Sequence, residues 1–359
     1  MRHALALGRR GLGSVWPNPA VGCVIVRGGR VVGRGWTQPG GRPHAEAEAL
    51  GMAGEAARDA TAYVTLEPCA HHGVTPPCAE ALIAAGIARC VVSLRDPDPR
   101  VDGGGIAMLR AAGIDVVEGV LEDEARAAQV GFLSRVTLGR PMVTLKLASS
   151  FDGRIATASG ESQWITGPEA RRMVHAERAR HDAVMVGAGT ARADDPSLTV
   201  RGMGAMRQPV RVVLSRRLDV DPGGTLGRTA GDVPVWLMHG REARVDRRSA
   251  WEAMGARLFE VPITGGQVDV GAAMRALGEA GLTRVFCEGG GSLAASLLAA
   301  GCVDELVGFT AGVALGAEGR PSLGALGIER LAEAPRFDLV EARPVVGGDV
   351  LHRWRQRKA

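Results

Sequence analysis

The feature that most constrains this chain is a set of donors in one short stretch: His44-Ala45-Glu46, then Pro68-Cys69, then Cys78. One imidazole and two thiolates give a zinc ion three protein ligands and leave the fourth tetrahedral position for water. Zinc lowers the pKa of such a water towards ~7, which produces a nucleophile at neutral pH. Glu46 lies two residues beyond His44 at the start of an Ala- and Glu-rich helix. It can therefore approach the water without binding metal and carry its proton to a substrate nitrogen. Both Cys69 and Cys78 are expected near helix N-termini, where the dipole and free amides favour thiolate. A structural zinc site would need a fourth protein ligand, and His72 is the convenient one. Cys23 and Cys90 fall in apolar runs and read as core residues.

Around these donors the pattern alternates between helix and strand. Helices are expected at Arg2–Leu12, His44–Met52, Cys78–Ala85, Ile106–Ala112 and Glu122–Thr137, with Pro76-Pro77 opening the third. Strands are expected at Val21–Arg27, Val31–Trp36, Ala62–Leu66, Cys90–Leu94 and Asp115–Val117, the first two joined by a Gly28-Gly29 hairpin turn. That order argues an α/β layered sandwich. Gly139-Arg140-Pro141 breaks the fifth helix, so the chain should divide into domains 1–139 and 140–359. Beyond the break, apolar strands at Met142–Leu147, Ala183–Gly187, Val210–Leu214, Val233–Met238, Arg284–Glu288 and Glu305–Thr310 alternate with helices and predict a largely parallel, covered sheet.

Composition narrows the function classes. A net charge of +4 over 359 residues suits anionic small molecules, and with 4% aromatics there is no stacking groove for nucleic acid. No stretch approaches the ~18–20 apolar residues of a membrane span. Six cysteines form no disulfide framework at this length, and thiolate ligands require reduced sulfur, which places the chain in the cytoplasm. A homo-oligomer is the default expectation.

The first half resembles the zinc deaminases in its His-x-Glu…Pro-Cys…Cys order. It departs from the usual Cys-x-x-Cys, because eight residues separate Cys69 from Cys78. That longer loop, with Pro17-Asn18-Pro19-Ala20-Val21-Gly22 upstream and Asp96-Pro97-Asp98-Pro99 downstream, resembles the pyrimidine deaminases of the riboflavin pathway. The resemblance implies that Asn18, His71 and Asp96 line the substrate pocket. Val74 stands where the family commonly has a basic residue for the substrate phosphate, and Arg42 and Arg100 are substitutes.

In the second half, Leu145 to Ala156, Ser159 to Thr166, Gly187-Ala188-Gly189-Thr190, Asp194 to Arg201 and Cys287-Glu288-Gly289-Gly290-Gly291-Ser292 resemble the reductase part of the bifunctional riboflavin deaminase–reductases. The resemblance implies a cytidine-deaminase-like α/β/α sandwich followed by a dihydrofolate-reductase-like α/β domain, acting on phosphorylated pyrimidines. It implies NADPH contacts from Ala148, Trp164, Thr190, Asp194 and the run Gly290, Gly291, Ser292, Leu293, Ala294, Ala295 and Ser296. It places the ribosyl substrate against Ser162, Arg178, Leu198, Arg201 and Glu288, with Lys146 near the sugar. From the residues alone, a glycine-rich turn between strand and helix lets backbone amides face a pyrophosphate, although such turns also serve packing. Arg178 and Arg201 offer planar charged forks for a phosphate. Trp164 fits a core aromatic equally well.

Overall fold

The computed structural model describes residues 1–73 and 76–357. The chain divides into two compact units, Met1–Gly139 and Arg140–Ala359.

The first unit is built on a five-stranded sheet of β1 (Gly22–Arg27), β2 (Arg30–Trp36), β3 (Thr61–Val64), β4 (Arg89–Val92) and β5 (Asp115–Val117), in the order β2-β1-β3-β4-β5. β1 runs antiparallel to both β2 and β3, whereas β3, β4 and β5 are parallel. Gly28 and Gly29 turn the first hairpin with φ of 55° and 74°, values that glycine adopts without a Cβ penalty. The helices are α1 (Arg2–Gly8), α2 (Ala45–Ala53), α3 (Cys78–Ala84), α4 (Gly104–Ala111) and α5 (Glu122–Leu138). α1 ends earlier than the pattern predicts, passing into a 3-10 turn at Arg9–Gly11.

Helices cover both faces of this sheet. Gly22 of β1 lets α1 approach on one side, since a Cβ there would sit 1.9 Å from the Ala4 carbonyl oxygen. On the other side, β2 presents Gly33 and Gly35 to α2, where a Cβ would come within 2.1 Å of the Ala49 and Ala45 carbonyl oxygens. The backbone of α2 thus lies directly on the sheet, and its first turn is fixed with it. Cys23, Ile25, Ala45, Ala49, Val64, Leu82, Cys90 and Val92 fill the core beneath. Cys23 and Cys90 are fully buried, as their apolar surroundings in sequence imply.

The second unit carries a nine-stranded sheet of β6 (Met142–Ser150), β8 (Ala183–Gly187), β9 (Val210–Leu214), β10 (Val235–His239), β11 (Arg257–Glu260), β14 (Arg284–Cys287), β15 (Glu305–Ala311), β17 (Phe337–Pro344) and β18 (Val350–Gln356). Its order is β11-β10-β9-β8-β14-β6-β15-β18-β17. The seven strands from β11 to β15 are parallel neighbours, and β18 and β17 add an antiparallel edge. β7 (Arg154–Ala156) pairs with β16 (Arg320–Pro321), and β12 (Ile263–Thr264) with β13 (Gln267–Val268), as two small ribbons. The helices are α6 (Pro168–Ala179), α7 (Ala188–Asp194), α8 (Thr225–Arg228), α9 (Val245–Ala253), α10 (Val270–Glu279) and α11 (Gly291–Ala299). β8, β14 and β6 occupy the middle of the sheet. The turn after β14 and the outward residues of β6 therefore stand on its most constrained part.

Candidate active sites

In the first unit, three segments meet. His44 is the N-cap of α2, Cys69 lies in the loop after β3, and Cys78 is the first residue of α3. Their ligand atoms all fall within 4.8 Å of one another. His44 Nδ1 lies 3.3 Å from Cys78 Sγ and 3.7 Å from Cys69 Sγ. Zn–N of ~2.05 Å and Zn–S of ~2.3 Å at a tetrahedral angle require N···S edges of about 3.6 Å, so the donors fit zinc. His72 is not the fourth ligand. It is exposed, with Nε2 3.4 Å from Glu80, outside the donor group.

The expectation that both cysteines stand at helix N-termini holds for Cys78 alone. Cys69 sits in extended loop, and its sulfur instead accepts the Cys78 backbone N–H at 3.2 Å. That amide and the Cys78 thiol lie on the same turn, so the anion is stabilised from α3 rather than from a helix of its own. Hydrogen bonding from Cys78 pulls the Cys69 thiol down to about 4, while the same bond, with burial, pushes Cys78 up. Glu46, 3% exposed on the first turn of α2, is pushed up to about 7 by burial and then by the Cys69 charge. A carboxyl so placed passes readily between its two protonation states.

The neighbouring residues fall into place unevenly. Asn18 Nδ2 donates to the Gly41 carbonyl at 3.1 Å, three residues before His44. His71 keeps Nδ1 buried with no hydrogen-bond partner among the described residues. Asp96 is 6% exposed, pushed up to about 6 by burial, and accepts the Asp98 N–H at 2.9 Å. Arg100 is closed on Asp98, Nη2 to Oδ2 at 2.6 Å, and so is a poor substitute for a phosphate ligand. Val74 lies outside the described residues.

In the second unit, Lys146 and Ala148 share one face of β6. Glu288, directly after β14, forms a two-pronged pair with Arg178 of α6: Nε–Oε1 at 2.5 Å and Nη2–Oε2 at 2.9 Å. Arg178 Nη1 also donates to the Thr199 carbonyl at 2.8 Å. Its fork is thus engaged within the protein by Glu288 and Thr199. Burial would raise Glu288, but the Arg178 charge and hydrogen bonds, aided by Lys146, hold it below the usual carboxylate range. Burial in turn lowers Lys146. Arg201 is exposed, and its backbone N–H donates to His175 Nδ1 at 3.2 Å. Leu198, at φ 52° and 3% exposed, anchors the same loop.

The glycine turn has its own demands. Gly290 adopts φ 84°, and a Cβ there would meet Thr190 Oγ1 at 3.0 Å; Thr190 donates to the Gly289 carbonyl at 3.4 Å. A Cβ on Gly291 would lie 3.0 Å from the Pro321 carbonyl oxygen. Gly291, Ser292 and Leu293 open α11, where first-turn amides lack intrahelical acceptors and can face a phosphate. Ala294 and Ala295 are buried and seat the helix; Ser296 Oγ donates to the Ser292 carbonyl at 3.0 Å. Asp194 closes α7. Ser162 is exposed, and Trp164 is no core residue: it is 67% exposed with the Arg171 guanidinium 4.3 Å from its ring centre. A face so displayed can receive a flat ring.

Sequence reasoning passed over Glu67, His175 and Arg211. The only signal for Glu67 was an acid placed directly before Pro68-Cys69. Arg211 on β9 looked like an interruption of an apolar run, yet it is fully buried and hydrogen-bonded to Thr229 Oγ1 at 2.6 Å and its carbonyl at 2.9 Å.

These two sites define a class: a zinc-dependent hydrolytic unit joined to an α/β unit with a dinucleotide-type glycine turn. The model of the cytidine and deoxycytidylate deaminase zinc-binding region matches residues 1–94, and that of the RibD C-terminal domain matches residues 141–351. The riboflavin biosynthesis protein RibD of Escherichia coli (strain K12) is 45% identical over 362 residues, spanning 98% of this chain and 96% of the relative. That of Bacillus amyloliquefaciens is 39% identical, spanning 98% and 94%. Among solved structures, Acinetobacter baumannii RibD has a TM-score of 0.89 at 38% identity, covering 99% of this chain and 98% of that one. A Thermotoga maritima diaminohydroxyphosphoribosylaminopyrimidine deaminase/5-amino-6-(5-phosphoribosylamino)uracil reductase has a TM-score of 0.86 at 34% identity, covering 99% and 97%. The chain belongs to the RibD family of riboflavin biosynthesis. It is a bifunctional deaminase and reductase whose cofactors are zinc and NADPH.

Proposed function

We propose that residues 1–139 deaminate 2,5-diamino-6-ribosylamino-4(3H)-pyrimidinone 5′-phosphate and that residues 140–359 reduce the ribosyl group of the product, 5-amino-6-(5-phosphoribosylamino)uracil, to ribityl. The observation that carries the first half is the trio His44, Cys69 and Cys78 at zinc-ligand spacing beside a buried Glu46. Those three residues hold the zinc, which when bound makes a water acidic enough to attack at neutral pH. Glu46 takes one proton from the attacking water and passes it to the ring nitrogen, then carries the remaining hydroxyl proton to the departing amine, which leaves as ammonia. Asn18, His71 and Asp96 orient the pyrimidine, with the unpartnered His71 Nδ1 free to meet a substrate polar atom.

In the second unit, the turn from Gly290 to Ser296, with Ala148, Thr190, Asp194 and Trp164, holds NADPH, which supplies the hydride. Lys146, Ser162, Arg178, Leu198, Arg201 and Glu288 hold the ribosyl substrate. Arg178 and Glu288 neutralise each other and so present a fixed polar wall, while the exposed Arg201, whose Nη1 donates to Ser197 Oγ at 3.4 Å, offers its charge to the phosphate. Of partners, phosphorylated pyrimidines are the substrates, and we expect a homo-oligomer. No helix among the described residues is long and apolar enough to cross a membrane. The six unpaired cysteines support a reducing, cytoplasmic setting.

The test is Glu46→Gln, assayed on each substrate. Ammonia release should fall by about 10²- to 10⁴-fold with zinc retained, while NADPH consumption on the deaminated intermediate continues. Deamination near the wild-type rate would show that Glu46 does not move the proton.

A further inference from the structure

We infer that Glu67 is a positioning residue of the deaminase, whose buried carboxylate locks the Cys69 loop and the Asp96 segment into one rigid piece. The inference rests on the zinc-site reading above and extends it to a residue that touches neither metal nor substrate.

Glu67 is 3% exposed, two residues before Cys69, and has no ion-pair partner among the described residues. Its charge is met by four backbone amides instead. Oε1 accepts from Gly105 at 3.0 Å and Ile106 at 3.2 Å, both in the first turn of α4. Oε2 accepts from Gly103 at 3.0 Å and from Asp96 itself at 3.2 Å. Its own N–H donates to the Leu94 carbonyl at 2.9 Å. A carboxylate is the side chain suited to this place, because it alone offers two oxygens that each accept two bonds and donate none. The helix dipole of α4 adds a favourable field for the charge.

The packing shows why such a lock is needed. Gly105 brings α4 so close to the cysteine loop that a Cβ would lie 1.9 Å from the Pro68 carbonyl oxygen. Between Thr65 and Pro77 the described residues form no helix or strand, and Cys69 is held from one side by α3, where its carbonyl accepts the Ala79 N–H at 3.3 Å, so that Glu67 supplies the hold from the α4 side. Asp96 is likewise in a loop, after β4. One carboxylate therefore sets where a metal donor stands relative to a substrate-facing acid, and its effect on the reaction passes through both.

Replacing Glu67 with Gln keeps the size but turns one acceptor oxygen into a donor, which must face two amide donors. Outer partners of ligand residues typically govern 10- to 100-fold in metal affinity or activity. The full-length protein is loaded with Co²⁺, and its visible absorption and chelator competition are compared for wild type and Glu67→Gln. The variant should show altered thiolate–cobalt bands, metal affinity lower by about tenfold or more, and a raised KM for the deaminase substrate, with NADPH turnover unchanged. Glu67→Asp, which keeps four acceptor sites one methylene short, should lie between the two. It also carries the test if the Gln variant does not accumulate folded. Wild-type spectrum, affinity and KM in the variant that folds would overturn the inference. A wild-type protein that gives no thiolate–cobalt bands would instead overturn the zinc-site reading, before any variant is made.

Discussion

The two sites handle buried charge in opposite ways. In the first unit, two sulfurs and the Glu46 carboxyl stand around one imidazole: hydrogen bonding between the sulfurs drives Cys69 down and Cys78 up, and burial drives Glu46 up. In the second, Arg178 and Glu288, each 11% exposed, meet in a two-pronged pair with Lys146 alongside. One site gathers the donors of a metal ion, and the other pairs its charges within the protein. The difference matches the chemistry, since hydrolysis needs a Lewis acid while hydride transfer needs a shaped and ordered surface.

The comparison breaks most visibly at Cys69. Cys69→Ala should abolish ammonia release while leaving NADPH turnover on the deaminated intermediate intact, measured on one preparation. Loss of both activities together would mean that the second unit depends on the metal as well. Next comes Arg178→Met, which leaves Glu288 buried and unpaired. Removing one member of a buried pair costs about 3–5 kcal/mol, so the second unit should melt earlier and lose reductase activity while deamination persists. A melting curve matching wild type would show that Glu288 is solvated there.

A smaller effect should appear on acidification. Burial holds the His181 imidazole neutral, down at about 3 against an ordinary 6.5, between Glu177 and Thr144 on α6 and β6. Between those values the unfolded chain binds a proton that the folded chain does not. Stability contributed by His181 is therefore intact above about pH 6.5 and lost as pH falls below it, by up to about 1.4 kcal/mol per unit. Denaturant titrations of wild type and His181→Asn at pH 7 and pH 5 should show a shallower loss in the variant. Smallest of all, Trp164→Ala removes an exposed stack on Arg171, worth about 0.5–1 kcal/mol. Stability should barely move while KM for NADPH rises; an unchanged KM would remove Trp164 from the cofactor site.

What was legible in sequence was local. His44, Glu46, Cys69 and Cys78 carry chemistry in their side chains and sit in short motifs, and the glycines from 289 to 291 announce a turn by what they lack. β5, β8 and β9 have the limits their apolar runs imply. Less legible was anything that acts through backbone amides or distant partners. Glu67 binds four N–H groups between residues 96 and 106, and amides leave no mark on residue type. The Arg178–Glu288 pair spans 110 positions, so the sequence shows no sign of the partner that engages the Arg178 fork. The helix expected to stabilise Cys69 was in fact the one that begins at Cys78.

X-ray absorption at the zinc edge, on purified enzyme active as a deaminase, tests the central claim most directly. One zinc per chain with two sulfurs, one imidazole nitrogen and one light solvent atom is the predicted result. An active, metal-free sample, or a fourth ligand drawn from the protein, would contradict it.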